Sequence, residues 1–337
     1  IVGPDDLIGY LGRHERDRPE CELAYHNQLM VQGWSMLASG RADLARTAVG
    51  RLTDIPARTT WFTYVRCHDD IGWAIDDADA SAIGLSGQGH RDYLAAVFRG
   101  DFPGSFARGT PFASNPLTGD ERTSGMTATL AGVTAALEAE DPDALDRAID
   151  RILFLYAIAF GVGGVPIIYM GDELCQQDDR TWPADPERRA DSRWAHRPAF
   201  DDALLPDRDD PSTPTGRVWS GLRRLVATRR ACPPLHDDGA SVAVFDAGSS
   251  AVFAWHRSHP RFGDLIGLAN VGAETFDVVR HPVVADGAID LLAPGDPGLW
   301  RLAPLQVRWI TADARYATVP APGGGAPTNG IGSGSAA

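Results

Sequence analysis

His68, Asp69 and Asp70 stand in a row directly after Trp61-Phe62-Thr63-Tyr64-Val65-Arg66-Cys67, an aromatic and β-branched run that predicts a strand. Titratable groups at the end of a buried strand are costly to desolvate unless they bind something. In a parallel β/α barrel that end of the strand faces the active site. Position alone also allows a solvated strand-to-loop turn, or a helix N-cap by Asp70. The design recurs where the apolar run Val165-Pro166-Ile167-Ile168-Tyr169-Met170 stops at Gly171-Asp172-Glu173. Capping of the next segment is the alternative there.

Composition narrows the partners. A net charge of −14 argues against nucleic acid and anionic membranes, whereas a neutral substrate such as a sugar is compatible. The longest apolar stretch, around Ile152–Ile168, is broken by Gly161, Gly163, Gly164 and Pro166; it falls short of the roughly 18–20 residues of a membrane span. Every basic residue is Arg, which genome composition explains. Cys21, Cys67, Cys175 and Cys232 form no C-x-x-C pair and no zinc spacing. They read as free thiols, and a cytoplasmic location is expected. The chain starts at Ile1 with no basic n-region after it, so the start reads as a cut, and secretion of the parent stays open.

The elements that must position these groups follow from periodicity. Pro4 opens a short helix stopped by Gly12, and Glu20–Tyr25 alternates as a first strand. Helical spacing runs through Leu29, Met30, Trp34 and Leu37, then through Leu145, Ile149, Ile152, Leu153 and Tyr156, and again from Gly216 to Arg230. Residues 74–142 read as irregular, and a loop of that length is usually functional or a subdomain. After Pro233-Pro234 short β-like runs alternate with turns to Thr311, and the tail from Ala317 is Gly-, Pro- and Ser-rich. Strands followed by helices predict parallel β/α units. About three such strands against the eight of a (β/α)₈ barrel predict part of one.

The segment Tyr64–Trp73 resembles the fourth conserved region of the α-amylase superfamily in its amylosucrase form. Gly164–Glu173 looks like that family's last barrel strand. The resemblance continues through Gly104–Gly109, Asn115-Pro116, Thr118–Asp120, Arg122, Asp191–Pro198 and Asp209–Ser212. It implies the following division: residues 1–73, barrel strands six and seven; 74–142, an inserted loop subdomain; 143–231, strand eight and the last helix; the β-like runs and the tail's composition add a β-sandwich domain over 232–315 and a disordered tail over 316–337.

By this resemblance Asp69 is the third catalytic carboxylate, a transition-state stabiliser, and His68 is its neighbour in the glucosyl subsite. A carboxylate beside an imidazole offers an acceptor and a donor to adjacent hydroxyls. Asp70 looks like the residue reaching the fructosyl or acceptor side, and Asn115 and Arg122 resemble acceptor-site residues. Arg193 resembles the arginine at the pocket floor, paired in the family with an Asp from earlier in the barrel. His196 reads as structural. Without the resemblance, Asn115, Arg122 and Arg193 are ordinary loop polarity. Ala113 departs from the Gln common in the family, which bears on acceptor affinity.

A retaining glycosidase needs a nucleophile and an acid/base about 5–5.5 Å apart. Nothing here matches the family's Arg-x-Asp-Ala nucleophile motif, and its acid/base Glu would fall about two residues before Ile1. The expected parent therefore cleaves sucrose and passes glucose to an α-glucan acceptor or to water, without cofactor or metal, and this chain alone is inactive. The alternatives are a sucrose hydrolase or trehalose synthase fragment, or a non-catalytic sugar-binding module. Acceptor preference and oligomeric state are not legible.

Overall fold

The computed structural model describes residues 4–11, 21–52, 55–56, 58–236, 240–284 and 286–317. Gly12 and Glu20, and residues 318–337 of the expected tail, lie outside them; Tyr316 and Ala317, expected in the disordered tail, instead close a 3₁₀ helix over Ala314–Ala317, held because Tyr316 is buried. A helix over Pro4–Leu11 precedes β1 (Leu23–Tyr25), which pairs in parallel with β2 (Thr60–Tyr64), Leu23 opposite Thr60. Between them run the helices Asn27–Ser39 and Asp43–Gly50. The first is capped by His26, whose Nδ1 accepts the Leu29 amide at 3.2 Å, and closes on left-handed Gly40.

After β2 the chain leaves the sheet. The expected irregular stretch 74–142 is instead ordered: helices Asp77–Ala82, Gly87–Arg99, Thr127–Ala131 and Val133–Glu138 flank an antiparallel hairpin, β3 (Thr110–Ser114) and β4 (Glu121–Ser124). Gly87 and Gly89 in its first turn hide the Gly87–Arg99 helix from propensity. Its local devices are nonetheless present: Ser86 accepts the Gly89 amide at 3.1 Å, and Gly100 ends it at φ 92°. Leu94, Val97 and Phe98 carry it into the main core.

Helix Pro142–Gly161 returns the chain to β5 (Val165–Ile167), parallel to β2 with Phe62 opposite Val165. The sheet order is β1-β2-β5. Gly164 (φ 73°) makes the entry possible, because a Cβ there would meet the Trp61 carbonyl oxygen at 2.4 Å. The strands are shorter than their sequence runs. Beyond Tyr64 and Ile167 the backbone turns, with left-handed Gly171 bringing the Asp172 amide onto the Tyr169 carbonyl at 3.0 Å.

Helix Pro214–Arg230 begins two residues before its periodicity suggests, because Thr213 caps it and Pro214 occupies its first position. Next come β6 (Ser241–Phe245), β7 (Val252–His259), β8 (Gly263–Asn270), β9 (Phe276–Asp277), β10 (Ile289–Asp290), β11 (Arg301–Leu302) and β12 (Val307–Thr311). They form a five-stranded antiparallel sheet, β10-β12-β8-β7-β6, and a two-stranded β9–β11 ladder. Side chains alternate along β7. Val252 and Ala254 pack with Ile266, Leu268 and Ile310 in a local core. Phe253 and Trp255 point the other way, into the core shared with helix Pro142–Gly161. Trp255 Nε1 donates to the Gly161 carbonyl at 2.8 Å. A Cβ on Gly161 would lie 2.4 Å from Trp309 Nε1.

Candidate active site

The His68-Asp69-Asp70 row lies where β2 turns away from the sheet. It opens on a cavity of about 700 Å³ whose walls include Tyr25, Asn27, Tyr64, Arg122 and Arg193. His68 and Asp69 project into it, their side chains 59% and 54% exposed, with His68 Nε2 3.5 Å from Asp69 Oδ2.

What holds them comes from far along the chain. Arg197 donates from Nε to the His68 carbonyl at 2.6 Å and from Nη2 to Asp69 Oδ1 at 3.3 Å. His196 Nε2 meets the same carbonyl at 3.0 Å. Burial, reinforced by the Arg66 cation, pushes His196 down to about 3, so the ring is neutral and Nε2 is the donor. Arg66, fully buried under the strand end, donates to the His196 carbonyl at 2.9 Å and stacks on Tyr169. Its Nε lies 3.9 Å from Asp172 Oδ1. Asp172 in turn accepts from Thr127 Oγ1 at 2.7 Å and Tyr156 at 2.8 Å. Asp172, after β5, thus supports the site from beneath through Arg66, while Glu173 accepts the Gly171 amide at 2.8 Å. Sequence reasoning missed Arg197 and Arg66, and the only trace of Arg197 was the Asp191–Pro198 motif.

Asp70 turns inward. Its carboxylate is 4% exposed and accepts from Arg122 Nη1 at 3.2 Å. Arg122, on β4, belongs to two walls: the cavity above and a second one of about 590 Å³ lined by Trp73, Arg91, Ala113 and Asn115. Asn115 lines that second cavity, and its Oδ1 accepts the Leu117 amide at 2.9 Å within the hairpin turn. Arg193 reaches the main cavity, but its guanidinium grips Asp191 in two parallel bonds of 2.9 and 2.8 Å and stacks over Phe112. The Arg193 hydrogen bonds hold Asp191 down at about 2.

A further carboxyl lies behind the site. Asp178 Oδ1 accepts the Met126 amide at 2.5 Å, and its own amide donates to Thr129 Oγ1 at 3.1 Å. Oδ2 is enclosed without a partner, although the residue as a whole is only half-buried. Burial pushes Asp178 up to about 7 against the pull of the Met126 amide and Arg66.

No family model matches the sequence. Among solved structures the chain is similar to AmyP in complex with maltose, at 13% identity and TM-score 0.50, over 90% of this chain and 52% of that one. It is also similar to the α-amylase from H. orenii, at 9% identity and TM-score 0.51, over 92% of this chain and 51% of that one. The chain spans about half the length of the solved structures it matches. The likeness shows the fold: an α/β unit matching the carboxy-terminal portion of α-amylase-type barrel enzymes, followed by a sheet-rich region.

Proposed function

We propose that the chain is the carboxy-terminal part of a retaining α-glucosyl enzyme of the α-amylase superfamily, of amylosucrase type. It would act on sucrose, with glucose passed to an α-glucan or to water. The observation that carries this reading is the exposed His68–Asp69 pair at the carboxy-terminal end of a parallel strand, clamped from behind by Arg197 and His196. The ordered set of amylosucrase-like motifs along the chain supports it.

In this reading Asp69 and His68 hold neighbouring ring hydroxyls. Their hydrogen bonds tighten as the oxocarbenium-like transition state forms. Fixing Asp69 beforehand matters because a preorganised group needs no reorganisation at the moment of reaction. Arg122, standing in the wall between the two cavities, faces the acceptor. The nucleophile and the acid/base come from outside this chain.

The test compares fructose release from sucrose by this chain alone and by a protein that carries it behind its upstream reading frame. The chain alone releases none, since the covalent intermediate has no nucleophile. In the longer protein Asp69→Asn lowers kcat by roughly two to four orders of magnitude with a smaller change in KM. Sucrose cleavage within a few-fold of the parent in that variant sinks the reading.

A further inference from the structure

Among the described residues, Cys67, His68 and Asp69 offer one sulfur, one nitrogen and one oxygen that all lie within 4.8 Å of one another. A tetrahedral zinc site with Zn–S about 2.3 Å and Zn–N and Zn–O about 2.0–2.2 Å has ligand–ligand edges of about 3.3–3.6 Å. The His68 Nε2 to Asp69 Oδ2 distance is 3.5 Å, already that of such an edge, and the Cys67 sulfur lies within 4.8 Å of the ligand atoms of both partners. We propose that these three side chains form an open binding site for a borderline-soft divalent cation of the Zn²⁺ class, its fourth position filled by water from the cavity.

The donor set selects the ion. Thiolate with imidazole and one carboxylate suits Zn²⁺ or Co²⁺, whereas Mg²⁺ and Ca²⁺ want oxygen donors. The surroundings orient the ligands. Arg197 holds Asp69 by Oδ1 and leaves Oδ2 toward His68, the kind of outer bond that fixes ligating carboxylates. Arg122 is paired with Asp70 and Arg193 with Asp191, so two of the nearby cations are already balanced by carboxylates. The proton balance is simple: the ion takes the Cys67 sulfur as thiolate and one proton leaves to solvent. The inference stands apart from the sugar chemistry, since it needs only these three residues. Its consequence is that an ion there occupies the groups a sugar would use.

The experiment titrates the metal-free chain with Co²⁺ and follows the near-ultraviolet thiolate-to-cobalt charge-transfer band, with Zn²⁺ as competitor. One equivalent develops the band, and Zn²⁺ abolishes it where excess Mg²⁺ does not. Cys67→Ser removes the band, and His68→Ala weakens Co²⁺ binding at least tenfold. Cys21→Ser, a thiol lining the same cavity, keeps both band and affinity. Far-ultraviolet circular dichroism checks that each variant folds. Absence of the band, or a band lost in Cys21→Ser and kept in Cys67→Ser, overturns the site.

Discussion

Replacing Asp178 by Asn removes one buried ionisation while keeping the side-chain oxygen that accepts the Met126 amide. Burial pushes the carboxyl up to about 7 in the folded protein, from an ordinary value of 3.8. A raised carboxyl binds its proton more tightly in the native state, so its contribution to stability falls as pH rises from about 4 to about 7 and is flat beyond. At 1.36 kcal/mol per pH unit the ionised carboxylate costs about 4 kcal/mol at pH 8. His26 and His196 act in the opposite sense. Burial pushes them down to about 4 and about 3. They are neutral when folded and protonated when unfolded between those values and about 6.5, so their contribution rises with pH there.

Between pH 5 and 6 these three groups give the parent a net slope of about +1.4 kcal/mol per pH unit, two histidines against one carboxyl, and Asp178→Asn about +2.7. The new amide hydrogens replace an oxygen without a partner, a pH-independent cost of about 1–3 kcal/mol. All other shifted groups are common to both proteins and cancel in the difference. Urea unfolding of both from pH 4 to 8 should therefore show the stability difference, variant minus parent, climbing by about 4 kcal/mol and levelling above pH 7. A difference that stays constant with pH refutes a buried Asp178 whose burial outweighs its partners.

Three further outcomes are expected. Arg197→Ala in a protein active on sucrose lowers kcat about tenfold or more with KM nearly unchanged, since it positions Asp69 without facing the substrate, and Arg197→Lys restores only part because it cannot serve the His68 carbonyl and Asp69 together; steady-state kinetics decide. Arg122→Ala affects transfer more than cleavage, so the ratio of glucan to free glucose falls, whereas equal losses in both count against its acceptor-side placement. Gly161→Ala forces a methyl against the Trp309 and Trp255 indoles and costs about 1–3 kcal/mol in urea unfolding, without altering the local His68–Asp69 geometry.

The parallel strands and the row beyond β2 were legible because buried runs of Val, Ile, Tyr, Phe and Trp carry their own signal, and His68-Asp69-Asp70 follow such a run directly. Arg197 was not legible, since nothing local links it to residues 128 and 129 positions earlier that it clamps. The ordered segment 74–142 was missed for a different reason: its helices are short or open on glycine, and tertiary packing of Leu94 and Phe98 overrides their weak propensity. Arg193 read alone as a solvated loop charge, but it is locked to Asp191, two residues away.

The antiparallel sheet is bolted to the parallel one rather than tethered to it. Trp255 bonds the Gly161 carbonyl, Arg257 the Val162 carbonyl at 2.8 Å, and the Ala42 amide reaches the Ser250 carbonyl. Interfaces within a chain permit relative motion by default unless they are large and apolar. This one seats two indoles against a bare glycine backbone. A swing of one sheet against the other would have to break these bonds and unseat both indoles, so the two sheets pack as one body of core.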